Sequence, residues 1–152
     1  MARELVEGAK ELERMLAQIG GKVAKKIVRQ AVRKGQKPIL AKAKSNASTL
    51  VGGSMGSKIA KNTKIKAPKR QKKGQYLLST KVMSDPAFEH VNKDGTRHWI
   101  PAAIEFGHGA KKEQIAIPFL RKAADSEGEK ATNIVIKELG EGVEREAKLL
   151  AK

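Results

Sequence analysis

Apolar residues recur at steps of three and four near the start of the chain. The residues with this spacing are Leu5, Ala9, Leu12, Leu16 and Ile19. Such spacing places them on one face of a helix, with charged residues on the other. Gly20 and Gly21 follow directly, and glycine after a helical stretch commonly ends it. The pattern predicts a first amphipathic helix that stops at this pair.

A second helical pattern follows the two glycines. Its apolar side consists of Val23, Ile27, Val28, Ala31, Val32 and Ile39. Its other side is a basic stripe at helical spacing: Lys22, Lys25, Lys26, Arg29, Arg33 and Lys37. Gly35 and Pro38 fall inside the pattern and predict a kink or break there, with the helix resuming through 39–47.

The middle of the chain changes from helical to extended periodicity. Residues 48–57, rich in Gly and Ser, are expected to form a flexible loop. Alternation of period two at 62–68, and an apolar run at 76–84, predict two strands joined by the basic connection 69–75. Residues 98–106 are a third strand candidate, which Pro101 would confine to an edge or a bulge.

The last element is a helix that begins at Pro118, because proline is well tolerated in a first helical turn. Gly128, Gly140 and Gly142 weaken it, and a break near 126–128 is expected. The sequence predicts a single domain (1–152). Its parts are a helical part (1–47), the loop (48–57), a sheet (58–108) and a C-terminal helix (118–151).

The fold class that follows is α+β. It consists of two N-terminal helices, a small and mostly antiparallel sheet with a basic hairpin, and a C-terminal helix packed on that sheet.

Charge is distributed unevenly along the chain. No acidic residue occurs between Glu13 and Asp85, and residues 14–84 carry 19 lysines and arginines. The flanking segments are close to neutral, so this tract supplies nearly all of the formal net charge of +16. A tract of one sign suggests contact with a polyanion. Two alternatives are lysines that only maintain solubility and a protein partner with acidic patches.

Composition narrows the class of protein. Aromatic residues make up 3% of the chain and cysteine is absent, so disulfides and thiolate metal sites are excluded. No apolar run approaches the roughly 20 residues that cross a bilayer. The N-terminus lacks the apolar block of a signal peptide, and we expect a soluble protein without membrane contact.

Candidate catalytic groups are few. His98, Glu105 and His108 lie near one another in sequence, but residues three apart on a strand point to opposite faces, so we expect no metal site. The stretch 51–58, "VGGSMGSK", lacks the spacing of a nucleophile elbow and of a phosphate-binding loop. The sequence therefore predicts no enzyme, no cofactor and no bound metal.

Binding to nucleic acid would depend on phosphates. Single-strand binders stack bases on aromatic rings, and the basic tract holds a single one, Tyr76. We therefore expect salt-sensitive attraction to duplex DNA without sequence reading. The candidate contacts fall on two surfaces, between which the sequence does not choose. They are Lys25, Arg29 and Arg33 of the helix stripe, and Lys64, Lys66, Lys69, Arg70, Lys72 and Lys73 of the hairpin.

Two short motifs near the end carry a family resemblance. They are Glu105-Phe106-Gly107 and Pro118-Phe119-Leu120-Arg121, and a long basic helical region with an internal proline precedes them. This arrangement resembles the tail-completion, or head–tail joining, proteins in the neck of long-tailed bacteriophages. The resemblance covers most of the chain, although only the two motifs are specific.

The resemblance implies a structural virion protein that is not an enzyme. Such proteins form a ring, usually of six copies, that completes the tail. The implied partners are further copies of the chain, the tail tube protein, the head connector and the genomic double-stranded DNA that passes through the lumen. We also expect Phe106 and Phe119 to pack together, Gly107 to permit a turn, and Glu105 to pair with Arg121, within or between subunits.

Overall fold

The structure is a computed structural model that describes residues 2–72, 75–107 and 115–150. The helices are α1 (Ala2–Ile19), α2 (Gly21–Asn46), α3 (Gly53–Asn62), α4 (Ile100–Phe106) and α5 (Phe119–Leu150). The strands are β1 (Thr63–Lys66), β2 (Ser79–Val82), β3 (Glu89–Val91) and β4 (Arg97–Trp99). The predicted α+β class and the C-terminal helix are confirmed.

The predicted end of the first helix is also confirmed. Gly20, with φ of 90°, separates α1 from α2 in the left-handed region that glycine tolerates best. Leu12, Leu16 and Ile19 are half-buried, and α1 packs against α2 and α5. These three side chains therefore lie on the side of α1 that packs against the longer helices.

The long helices α2 and α5 form the main packing contact of the molecule. They run antiparallel, because Ile27 of α2 lies against Gly142 of α5, whereas Gly35 lies against Ala131 and Val135. A Cβ atom on Gly35 would stand 2.9 Å from the carbonyl oxygen of Ala131. The two glycines therefore permit a close approach of the helices.

Neither long helix is broken at the predicted positions. α2 continues through Gly35 and Pro38 as one helix of 26 residues, and α5 continues through Gly128 as one helix of 32 residues. A proline inside a helix costs about 3 kcal/mol. The extended contact between the two helices offsets this cost, since most helical stability in proteins comes from tertiary packing.

The expected flexible loop at 48–57 is also wrong, because the segment is helical. A π-helical turn (Ala47–Val51) follows α2, and α3 begins at Gly53. Gly52 and Gly53 have φ of 70° and 56°, so they supply the turn between the two helices. Gly56 packs against the carbonyl of Ala47, where a side chain would collide. The glycines of this segment therefore serve turns and close packing.

The sheet is divided into two small antiparallel hairpins. β1 pairs with β2, with Thr63 opposite Val82, and both of these residues are buried. β3 pairs with β4, with His90 opposite His98. The basic hairpin is thus confirmed, although β2 is shorter than the predicted strand 76–84 and the sheet part of the chain also contains α3 and α4.

The predicted third strand at 98–106 is mostly wrong. Only its first residues belong to β4, and α4 begins at Ile100 with Pro101 in its first turn. Proline is favourable there because its missing N–H needs no partner at a helix start. Gly107, with φ of 79°, ends α4, so its predicted role in a turn is confirmed.

The hydrophobic core lies at the end of α2 that carries Asn46. It contains two fully buried aromatic rings, Phe88 and Phe119, which share the cluster with aliphatic side chains from every neighbouring element. The other buried members are Ala47, Ile59, Val82 and Ile104. The core therefore draws α3, both hairpin regions, α4 and the start of α5 together.

Candidate polyanion-binding groove and the motif latch

The two family-like motifs meet at the start of α5. Glu105, only 2% exposed, directs its carboxylate at the first turn of that helix. Its Oε2 accepts the backbone N–H of Leu120 at 2.9 Å, and its Oε1 accepts that of Arg121 at 3.0 Å. These N–H groups have no partner within the helix, and the positive end of the helix dipole favours the carboxylate.

The side chain of Arg121 adds two hydrogen bonds to the same contact. Its Nε donates to Glu105 Oε1 at 3.1 Å, and its Nη2 donates to the Glu105 carbonyl oxygen at 2.6 Å. The predicted Glu105–Arg121 pair is therefore confirmed, within one chain. We call Glu105, Arg121 and the Leu120 N–H the latch. Nearby, Ile117 donates its N–H to the Ile104 carbonyl at 2.7 Å, which further joins the two motifs.

The predicted contact between Phe106 and Phe119 is wrong as a core pair. Phe119 is fully buried, but the side chain of Phe106 is 68% exposed. The guanidinium of Arg121 lies 5.0 Å from the Phe106 ring centroid, within cation–π range. Phe106 lies last in the seven-residue α4, a helix in which Pro101, Ile104 and Glu105 are the buried residues. The ring that shares the core with Phe119 is Phe88.

A groove of about 1330 Å³ lies between the N-terminal half of α2 and the connection that joins β1 to β2. We call it the basic groove. Its first wall includes Lys22, Lys25, Arg29 and Arg33 of α2, and its second includes Lys69 and Lys72. Among the residues that the structure describes, none that lines it is acidic. The structure thus brings the helix stripe and the hairpin connection, two separate surfaces in sequence, to opposite sides of one cleft.

Three contacts position the second wall. Thr80 of β2 donates to Gln36 Oε1 of α2 at 2.9 Å. Gln71 exchanges two hydrogen bonds with the backbone of Leu77, which closes the connection on itself. The guanidinium of Arg29 lies 5.4 Å from the Tyr76 ring centroid and so links the two walls across the groove. The hairpin is therefore held against α2 at Thr80 and at Tyr76.

The groove has an apolar component between its charged walls. Ala24 and Val28 of α2, Ala67 and Pro68 of the connection, and the half-buried ring of Tyr76 contribute to its lining. Clefts lined by one sign of charge, with low-dielectric walls, concentrate the electrostatic field. The groove is therefore suited to a ligand with regular negative charges and flat or apolar parts between them.

The groove includes only some of the predicted DNA contacts. Arg70 is exposed but does not line it, and Lys64 and Lys66 lie on the exposed face of β1, where Lys64 is opposite Lys81. Lys73 lies outside the described residues.

Sequence reasoning overlooked two members of the groove as site residues. Lys22 lies in the basic stripe that the sequence predicts on the second helix, but it is not among the candidate DNA contacts. Tyr76 was noted only as the single aromatic residue of the basic tract. No spacing in the sequence connects Tyr76 with Arg29, because their contact depends on how the hairpin packs on α2.

The histidines and carboxylates give no sign of a metal site among residues 2–72, 75–107 and 115–150, where no group of three or more ligands converges. His98 lies on β4, with its Nε2 2.8 Å from the Asn92 amide nitrogen, and Glu105 is engaged in the latch. His108 lies outside the described residues. None of the described helices has the length and apolar character needed to cross a bilayer.

Comparison with known proteins identifies no relative: no family model matches the chain, and no curated protein or solved structure is significantly similar to it.

Proposed function

We propose that the chain is a structural subunit of the neck of a long-tailed bacteriophage, where a ring of copies, six as in the resembling family, completes the tail and joins it to the head connector. Its place would then be the assembled virion, with the tail tube protein and the connector as neighbours and double-stranded DNA in the lumen. The proposal assigns it no catalytic role.

The observation that carries the proposal is the latch. The motifs Glu105-Phe106-Gly107 and Pro118-Phe119-Leu120-Arg121 are the specific part of the family resemblance, and four hydrogen bonds between Glu105 and residues 120–121 join them. Two short motifs separated by about ten residues need not touch in a folded chain. Their assembly into one partly buried contact therefore supports the view that they form a unit.

Electrostatics determines how such a ring would assemble. Each copy carries a formal charge of +16, so close approach of several copies is opposed by repulsion that falls with salt. We expect the isolated protein to be monomeric at low salt and to form rings when salt or a polyanion is added. Light scattering combined with electron microscopy, on the protein alone and mixed with phage tail tubes, measures this directly.

Three results would bear on separate parts of the proposal. Rings bound to the end of tail tubes would support the neck assignment. Absence of any ring and of tube binding, in high and low salt, would overturn it. Stable rings at low salt without DNA would contradict the repulsion argument alone. Portal and tail-tube genes on either side of the coding sequence would add independent support.

A second candidate function is non-specific binding to nucleic acid, as in basic proteins that associate with chromosomes or RNA. The basic groove favours it, because six cationic side chains converge there and the described part of its lining holds no acidic residue. A gel-shift series over salt tests it: affinity should fall steeply between about 50 and 200 mM salt. An unchanged affinity over that range would instead favour an acidic protein partner.

A further inference from the structure

We infer that the basic groove is a binding site for a single strand of nucleic acid, with phosphates along its cationic walls and one base stacked on Tyr76. The inference deepens the second candidate function. It does not depend on the ring.

The first argument is the arrangement of charge. On the α2 wall, Lys22, Lys25, Arg29 and Arg33 follow one another at three- and four-residue steps, so their Cα atoms lie along one side of the helix over about 16 Å. Lys69 and Lys72 stand on the opposite wall. A chain laid along the groove would therefore meet cations from both sides. A regular row of phosphates matches such an arrangement better than a single anion does.

The second argument is the position of the aromatic ring. Tyr76 is half-buried in the lining, and its ring already attracts the guanidinium of Arg29 at 5.4 Å. A nucleobase can stack on such a ring regardless of its identity, because every base has a flat π face. Tyr76 and Arg29 together therefore form a platform within the charged cleft. This changes the interpretation of the sequence, in which one tyrosine in a long basic tract argued against single strands.

The third argument is the accessibility of the base faces, which favours a single strand over a duplex. In a duplex the bases are stacked on one another and their faces are not accessible to Tyr76. A single strand offers both phosphates and free base faces, the combination that grooves with charged walls and aromatic rings recognise. An acidic peptide would satisfy the lysines, but it would leave the Tyr76 platform unused.

The test compares three ligands on the full-length protein by fluorescence anisotropy. The first is a labelled oligothymidylate of about 12 nucleotides, a length within the range of known single-strand site sizes. The second is a duplex with the same number of nucleotides per strand, and the third is a polyglutamate peptide. We expect the single strand to bind most tightly. Its log affinity should fall against log salt with a slope of up to about −4, since each of six neutralised phosphates contributes roughly −0.7.

The first pair of variants distinguishes binding in the basic groove from general attraction to a positively charged protein. Lys25→Gln with Lys72→Gln removes one cation from each wall, and Lys58→Gln with Lys61→Gln removes the same charge from exposed positions on α3, outside the lining. The groove variant should flatten the salt slope by about 1.4 and the α3 variant should leave it nearly unchanged. Equal effects would overturn the inference. Circular dichroism checks that both variants fold.

The second pair tests the stacking role. Tyr76→Ala should weaken single-strand binding at least about fivefold, the lower end of measured stacking effects, whereas Tyr76→Phe retains a π face and should bind within about twofold of the original. Duplex binding should change little in either variant. Tighter binding of the duplex or of polyglutamate than of oligothymidylate would overturn the inference, as would an unchanged affinity in Tyr76→Ala. Failure of all three ligands to bind would remove the second candidate function too, without affecting the ring.

Discussion

The two halves of α2 have neighbours of opposite character. From Gly35 to Asn46 the helix lies against α5 and the core: Ala43 is fully buried, and the Asn46 amide donates to the Phe119 carbonyl at 3.1 Å. From Gly21 to Arg33 its outer side forms the cationic wall of the basic groove. One continuous helix thus reaches the aromatic core at one end and forms a wall of the basic groove at the other.

This separation has a physical reason. Burial of charged groups without partners is costly, so the lysines must remain in solvent while the aliphatic residues and the two aromatic rings gather elsewhere. A long helix satisfies both requirements because it buries one side, which includes Ile27 and Ala31, and exposes its lysines on the other. Substitutions in the two halves should therefore have very different effects on unfolding and on binding.

The largest expected effect is at Phe119, which is fully buried in the core. Phe119→Ala should lower the free energy of unfolding by about 3–5 kcal/mol, because the lost contacts and the cavity add together. The matched control is Phe106→Ala, which removes an exposed ring whose cation–π contact contributes about 1 kcal/mol or less. Urea denaturation measures both. Similar losses in the two variants would contradict the assignment of Phe119 to the core.

Glu105 gives the next largest effect. Glu105→Gln removes the charge that faces the first turn of α5 and leaves buried N–H groups poorly satisfied, so stability should fall by roughly 1–3 kcal/mol. Glu129→Gln, at an exposed position on α5, should change stability by less than about 0.5 kcal/mol. If thermal denaturation gives equal values for both variants, the latch does not contribute to the fold.

Gly35 tests the close approach of α2 and α5 at the boundary between the two halves. In Gly35→Ala, the new Cβ would meet the Ala131 carbonyl, and the resulting strain of roughly 1–3 kcal/mol should exceed the helix preference of alanine, about 1 kcal/mol. Gly128→Ala in α5 has open space around it and should raise stability by up to about 1 kcal/mol. Stabilisation by both substitutions would show that the helices can separate without cost.

The smallest expected effect on stability is that of substitutions in the basic groove. Lys25→Gln with Lys72→Gln changes two exposed side chains, so the free energy of unfolding should shift by less than about 0.5 kcal/mol. The same variant is expected to alter the salt dependence of oligonucleotide binding. A large loss of stability in urea denaturation would mean that the groove walls also support the fold, which would remove the contrast between the halves.

Local sequence signals predicted much of the secondary structure. The apolar steps of three and four predicted α1 and α2, and the alternation around Ile65 predicted β1, because these periods follow directly from backbone geometry. The predictions failed where glycine and proline were expected to interrupt a helix. Gly35, Pro38 and Gly128 lie inside continuous helices, and Gly52 and Gly53 mark a turn between helices. A glycine looks the same in sequence whether it ends a helix or lets another helix approach.

The sequence by itself determined the α+β class and the basic tract, since composition and period are properties of the residues. Opposite charge predicted the pairing of Glu105 with Arg121, but only the structure shows that the pair forms within one chain. The tertiary structure decided which rings are buried and which cations converge. Phe88 rather than Phe106 shares the core with Phe119, and the walls of the basic groove come from segments more than 30 residues apart. These outcomes depend on packing between distant elements, where a side chain's environment is set by its neighbours in space.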